Sequence, residues 1–212
     1  MRRMLLLCVL AFSVGLAGCG GTISYPDKGD TPEAADITFP PYTGVKARIA
    51  VLPVGLSPSA TKEYPDYAQS LREKGVGASM WHFLDASLEK TGRFEFEHIP
   101  EGAAETILEE QWFGQTDMVD PSTALKLGQI KQARYFVYGT VIGFWPEERK
   151  RVAGADTTVY HITVAIRCVD GETLEYVSAT GEGAGPSISR ASSNATDVAV
   201  YELNKKLDAF IK

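Results

Sequence analysis

Histidine and cysteine are scarce in this chain, three of each in 212 residues, and that scarcity bounds its chemistry. His82, His98 and His161 fall on different expected elements with no ligand spacing between them, so neither a zinc site nor a Ser-His-Asp arrangement can be assembled from them. Of the cysteines, Cys8 and Cys19 lie near the start and Cys168 stands alone inside a strand-like pattern, so no disulfide framework is available. Cys168 reads as a small buried hydrophobe. No Gly-rich loop ends in Lys-Ser or Lys-Thr, which excludes the phosphate cradle of an NTPase. "GVGASM" (75–80) opens like a dinucleotide fingerprint, but no strand precedes it and Met80 stands where a small residue is required. Glu109 and Glu110 are neighbours on an expected helix and so point apart. Basic residues are also outnumbered, 21 against 27 acidic, with no basic stripe, which argues against nucleic acid as a partner. Nothing here amounts to a catalytic, metal or cofactor site, and the chain reads as a non-enzyme.

Long apolar runs are missing too. The longest uncharged stretch near the start, Met4–Leu16, has 13 residues, whereas a membrane-crossing helix needs about 20. Arg2 and Arg3 before it and small residues after it make residues 1–18 a secretory signal peptide. The run ends in Leu16-Ala17-Gly18-Cys19, which resembles the lipobox of bacterial lipoproteins. The resemblance implies cleavage between Gly18 and Cys19, a diacylglycerol on the Cys19 sulfur, and further acylation, palmitate included, on the new N-terminus. Each buried methylene adds about 0.8 kcal/mol, so several chains together give a stable membrane anchor. Gly20 and Gly21 follow, with no aspartate of the kind that retains such proteins at the inner membrane. In a Gram-negative host that implies an outer-membrane protein facing the periplasm. Loss of Arg2 and Arg3 with the signal takes the formal charge from −6 to −8.

Residues 20–46 are rich in Gly, Pro, Asp and Thr without periodicity, so 19–46 is expected to be a lipidated N-terminus and flexible tether. Residues 47–212 should form one domain. "ARIAVLPVGL" reads as a buried strand ending near Pro53, followed by a polar loop holding Pro58 and Pro65. Val76, Met80, Leu84 and Leu88 mark a helix that Gly92 closes, and "RFEFEHI" alternates like a strand. "PEGAAETILEEQ" and "DPSTALKLGQIKQA" read as two helices, the second with Asp120 as cap and Pro121 at its first position. "RYFVYGTVIGFW" is an apolar strand, and "EERKR" (147–151) a solvated turn. In "TVYHITVAIRCVD", Tyr160, Ile162, Val164, Ile166 and Cys168 share one face, with His161, Thr163 and Arg167 opposite. Asp170-Gly171 turns that strand into "ETLEYVSATGEG". Ala195, Ala199, Leu203, Leu207 and Phe210 then mark a C-terminal helix. The order β-α-β-α-α-β-β-β-α specifies an α/β (α+β) domain whose mixed parallel and antiparallel sheet carries packed helices.

"RIAVLPV", "LEKTGRFEFEHI", "ILEEQ", "ARYFVYGTVIGF" and "VAIRCVDGETLEYVSATGEG" occur in an order that resembles the curli assembly and transport lipoproteins, the CsgG family. The resemblance covers roughly residues 47–211. It implies an outer-membrane-anchored periplasmic domain that needs no cofactor and works through protein partners of the envelope in assembly or export, with monomer and homo-oligomer both left open. The related activators of penicillin-binding proteins imply an alternative, stimulation of a peptidoglycan synthase; an oligomeric secretion pore is a third. Pore-forming members insert two β-hairpins per subunit, each needing roughly 20 residues or more. The matching joints here, Trp112–Pro121 and Gly181–Ser193, are too short and lack a lipid-facing alternation. Among exposed aromatics, Trp112 and Trp145 are the candidate partner surface, while Phe144 is expected to cap the core.

Overall fold

The run expected as one strand is divided in two by Pro53. In the computed structural model, β1 is Ala47–Val51 and β2 is Gly55–Leu56. Proline has no N–H for a ladder, so pairing lapses and resumes beyond it. The structure describes residues 37–65, 68–69, 76–97, 99, 133–149 and 157–211, within a unit spanning Pro32–Lys212. The signal peptide, Gly18, Cys19, Trp112 and, apart from Ala133, the two helices expected between 100 and 133 lie outside the described residues.

The stretch expected as a polar loop begins instead as a short helix, α1 (Pro58–Glu63). Ser57 caps it by accepting from the Ala60 N–H at 3.1 Å, and Pro58 takes the first helical position, where its missing N–H costs nothing. Helix α2 (Val76–Lys90) ends at Gly92, whose φ of 67° suits glycine, and leads into β3 (Phe94–Glu97). Three long strands follow, β4 (Tyr135–Arg149), β5 (Thr157–Asp170) and β6 (Tyr176–Gly185), then α3 (Ile188–Phe210).

The sheet runs β3-β1-β4-β5-β6, with β2 also on β4. β1 is parallel to β3 and β4, whereas β4, β5 and β6 are antiparallel. This is the mixed sheet that the sequence pattern specifies. One face carries the main core: Met80, Leu84 and Leu88 of α2 and Ala195, Ala199, Leu203 and Leu207 of α3 meet Ile49, Val137, Ile162, Val164, Ile166 and Cys168. On the other face Ala50, Leu52, Phe136, Tyr138 and Val169 gather with Ile99 in a smaller cluster. Strand alternation sends neighbours such as Ile49 and Ala50, or Phe136 and Val137, to opposite clusters.

Two hydrogen bonds finish the β6 edge: Lys206 Nζ donates to Ser178 O at 2.6 Å and Asn194 Nδ2 to Ala184 O at 2.8 Å. Side chains of α3 thereby occupy carbonyls that an incoming strand would need. At the β5–β6 connection the residue with positive φ is Leu174, not Gly171, so the tight Asp-Gly turn expected there is replaced by a longer loop. Gly171 serves close approach instead, since a Cβ would lie 2.6 Å from the Phe136 ring. Asp170 organises that loop through Oδ1, which accepts from the Glu172 and Thr173 N–H groups at 2.8 and 3.2 Å. Its Oδ2 accepts from Arg134 Nη2 at 3.0 Å and Nε at 3.2 Å.

Ahead of β1, Phe39 sets its ring edge against Tyr201 of α3, centroids 6.2 Å apart. The Tyr42 ring lies under the Arg93 guanidinium at 4.5 Å, and Arg93 also pairs with Asp208. Both aromatics sit in the stretch read from sequence as tether.

Candidate interaction surface

β4 and β5 outrun the sheet. β5 keeps β6 as neighbour only as far as the Tyr160–Gly185 pair, yet β4 and β5 stay paired through Glu147–Val159 and Glu148–Thr158 to Arg149–Thr157. The segment expected as a solvated turn is therefore strand up to Arg149. Pro146 falls where β4 pairs with β5 on one side and, past Val141, with neither β1 nor β2 on the other, an edge position of the kind that tolerates proline. The register shifts between Val141 and Gly143, a bulge that leaves Ile142 exposed and re-aims the residues beyond.

Phe144 turns inward, as expected of a core cap. It is 5% exposed, stacks on Tyr160 at 6.1 Å and takes the Tyr64 ring edge-on at 5.7 Å. Trp145 turns the other way and is half-buried. Its indole lies flat on the His161 ring across the ladder, centroids 5.1 Å apart and planes within 5°. His161 is fixed in turn by Glu147, whose Oε2 lies 3.0 Å from Nε2, and Glu182 Oε1 is 3.9 Å from Nδ1. Arg149 donates from Nε and Nη2 to the two Glu147 oxygens at 3.1 and 3.0 Å. The Arg149 hydrogen bonds, then the one to His161, hold the Glu147 carboxyl below its usual range, so it stays ionised. The result is an indole platform with a preset orientation on a projecting ribbon. Such a group contributes contact area at little entropic cost on binding.

The sequence reading named Trp145 without the residues that orient it. Trp145, Glu147 and Arg149 alternate as strand neighbours, a signal that the run of charges concealed. Cys168 and His82 are not part of this cluster. Cys168 is fully buried, and burial first, then the Asp170 charge, pushes its thiol up to about 12, so it is not a nucleophile. His82 stacks on Trp81 at 6.1 Å. Among the described residues no group of three His, Cys, Asp or Glu could hold a metal, and no helix is long and apolar enough to cross a membrane. The joint Gly181–Ser193 is taken up by the end of β6, Pro186 and Ser187, and the start of α3, which leaves no room for an inserted hairpin.

No curated protein matches the chain in sequence. Among solved structures, a PelC dodecamer from Paraburkholderia phytofirmans is similar at TM-score 0.46 and 19% identity, over 79% of this chain and 94% of that one. Lipoprotein GNA1162 from Neisseria meningitidis gives 0.34 and 17%, over 66% and 85%. The LpoB C-terminal domain from Salmonella enterica gives 0.32 and 14%, over 68% and 84%. The family described as Curli production assembly/transport component CsgG matches residues 33–207, nearly the whole folded domain. The chain belongs to the CsgG family, and among the described residues no hairpin is inserted between β6 and α3.

Proposed function

We propose that this protein is a non-enzymatic lipoprotein of the cell envelope, cleaved between Gly18 and Cys19. Lipid on Cys19 holds it to the outer membrane of a Gram-negative host, where it serves assembly or export of a surface appendage or polymer through protein contacts. The observation that carries this reading is the CsgG family match over residues 33–207, joined to a lipobox upstream of it. Trp145 on the β4–β5 ribbon is the proposed anchor for a partner. With Phe39 and Tyr42 held against the domain, the tether on this reading is residues 20–38, whose length at full extension is at most about 65 Å. A domain on that leash works near the membrane that holds it.

The test compares wild type with Cys19→Ser under metabolic labelling with a palmitate analogue, membrane fractionation and in-cell cross-linking. Wild type should carry label, sediment with the outer membrane and cross-link to export or appendage components, while the variant is unlabelled and leaves that fraction. Equal partitioning of the two proteins would remove the anchor from the proposal. Recovery of a peptidoglycan synthase in place of export components would transfer the role to synthase activation, and steady single-channel currents in liposomes would make the protein a pore.

A further inference from the structure

Away from the ribbon, where α2 meets the outer strand β3, Val51, Trp81, Asp85, Phe96, Glu97 and Ile99 line a cavity of about 130 Å³. Trp81 and Asp85 are one turn apart on α2 and so share a face. Val51 and Ile99, 4% and 2% exposed, make an apolar floor, and Phe96 stands 39% exposed at the mouth. Neither Asp85 nor Glu97 forms an ion pair among the described residues. Burial first, and then the Glu89 charge, raise the Asp85 carboxyl above its usual range, with His82 only partly offsetting them. Among the described residues the notch thus places two carboxylates, Asp85 partly offset by His82, between aromatic walls.

Three cations on or beside β1, α2 and β3 have acidic partners of their own. Arg48 pairs with Glu95 at 3.6 Å, Lys90 with Asp197 at 2.7 Å and Arg93 with Asp208 at 2.5 Å. Small-molecule sites usually enclose about 300–1,000 Å³, so this cavity is too small for a cofactor and suits the end of one long side chain. Indole and phenyl faces attract cations, and a planar guanidinium can stack on an indole while its N–H fork reaches carboxylates.

We propose that the Trp81–Asp85–Phe96–Glu97 notch is a docking site for one basic side chain, arginine by preference, of a partner protein. Trp81 supplies the stacking face, Asp85 and Glu97 take the donors, and Val51 and Ile99 receive the alkyl stem. The site is independent of Cys19, so its test does not depend on the anchor. The full-length protein, as its host makes it, is labelled with 5-fluorotryptophan and kept in detergent, and the Trp81 signal is assigned among the three tryptophans with Trp81→Phe. N-acetyl-arginine-amide is titrated against its neutral analogue N-acetyl-citrulline-amide and against ethanolamine. Expected is a saturable shift of the Trp81 signal with the arginine probe, little with citrulline, and salt sensitivity. The variant Asp85→Asn/Glu97→Gln should weaken binding about tenfold while the Trp112 and Trp145 signals hold their positions. If that variant loses its tertiary signals, Asp85→Asn alone, at an exposed helical position, serves and should weaken binding about threefold. A Trp81 signal that stays still, follows citrulline equally, or titrates unchanged in the variant overturns the proposal. An equal response to ethanolamine would overturn its assignment to a protein side chain.

Discussion

A methyl group at position 183 should unseat the C-terminal helix. Gly181, Gly183 and Gly185 of β6 face Ala191, Ala195 and Ala199 of α3 so closely that no β-carbon fits between them. In Gly183→Ala the new carbon would lie 2.8 Å from Ala195 Cα, and nearer still to Ala195 N and Ala191 O. Carbon atoms rest at about 3.5–4.0 Å, so helix and strand must separate by roughly 1 Å. All three obstructing atoms are backbone, and no rotamer change relieves them. Retreat is also resisted elsewhere on α3. Asp197 is bound by Ser87 at 2.5 Å and Lys90 at 2.7 Å, and Leu203 and Leu207 are sunk in the core. Overpacking commonly costs about 1–3 kcal/mol, and an obstruction made of backbone belongs at or above the top of that range. With a domain of this size losing about 2–4 °C per kcal/mol, the melting temperature should fall by about 6–12 °C. Urea and thermal unfolding followed by circular dichroism would measure it, with Thr180→Ala on the exposed face of the same strand as a control near zero. Because the obstacles are N, O and Cα atoms, Ala195→Gly should not rescue the variant. A loss under about 1 kcal/mol, or a rescue by Ala195→Gly, would refute the close seat of α3 on β6.

Two further outcomes follow from the same contacts. Burial opposes ionisation of Asp170, but the Glu172 and Thr173 N–H groups and Arg134 outweigh it and hold the carboxyl below its ordinary value of 3.8. The stability this gives is complete above 3.8 and is lost as pH falls through the lower folded value, so Asp170→Asn should lose about 1 kcal/mol at pH 7 and flatten the acid limb of stability against pH; an unaltered limb in urea titrations would count against the assignment. Trp145→Ala should cut recovery of cross-linked partner by more than about tenfold with little change in urea midpoint, as expected of a partly exposed contact anchor; undiminished recovery would move the partner surface elsewhere.

Where side chains alternate or recur by turns, the sequence announced the fold. Met80, Leu84 and Leu88, the Tyr160–Cys168 face and the Ala195–Leu207 stripe all pack inward as their spacing requires, and Gly92 takes the left-handed conformation that ends a helix. What stayed hidden depends on partners distant in sequence or on signals with two meanings. Ser57-Pro58 is both loop punctuation and a helix start, and only the Ala60 N–H on the Ser57 hydroxyl decides between them. "GEGAG" has no side-chain pattern to read, because its glycines answer to backbone atoms of a helix that lies later in the chain. Phe39 and Tyr42 sit amid prolines and glycines, and their anchoring depends on Tyr201 and Arg93. Glu147 and Arg149 looked like solvated charge because their roles are to fix each other and His161 on a ribbon.

That ribbon also decides what the domain can do at a membrane. A spanning β-strand takes about 9–11 residues with alternate side chains facing lipid. Beyond the last pair with β6, the whole stretch 146–160 has 15 residues, six of them charged, so neither of its strands could reach across. The other two positions where a hairpin would be inserted are a ten-residue joint at 112–121 and the two residues Pro186 and Ser187. By length alone, none of the three stretches holds the two membrane-spanning strands of a hairpin. What the ribbon does supply is an indole held flat on a histidine by a Glu-Arg pair, an arrangement fixed before any partner arrives. A pore wall needs length and lipid-facing alternation, whereas a docking element needs rigidity and one well-placed aromatic. The described part of the ribbon fits the second requirement better than the first, which supports the proposal of contact rather than conduction.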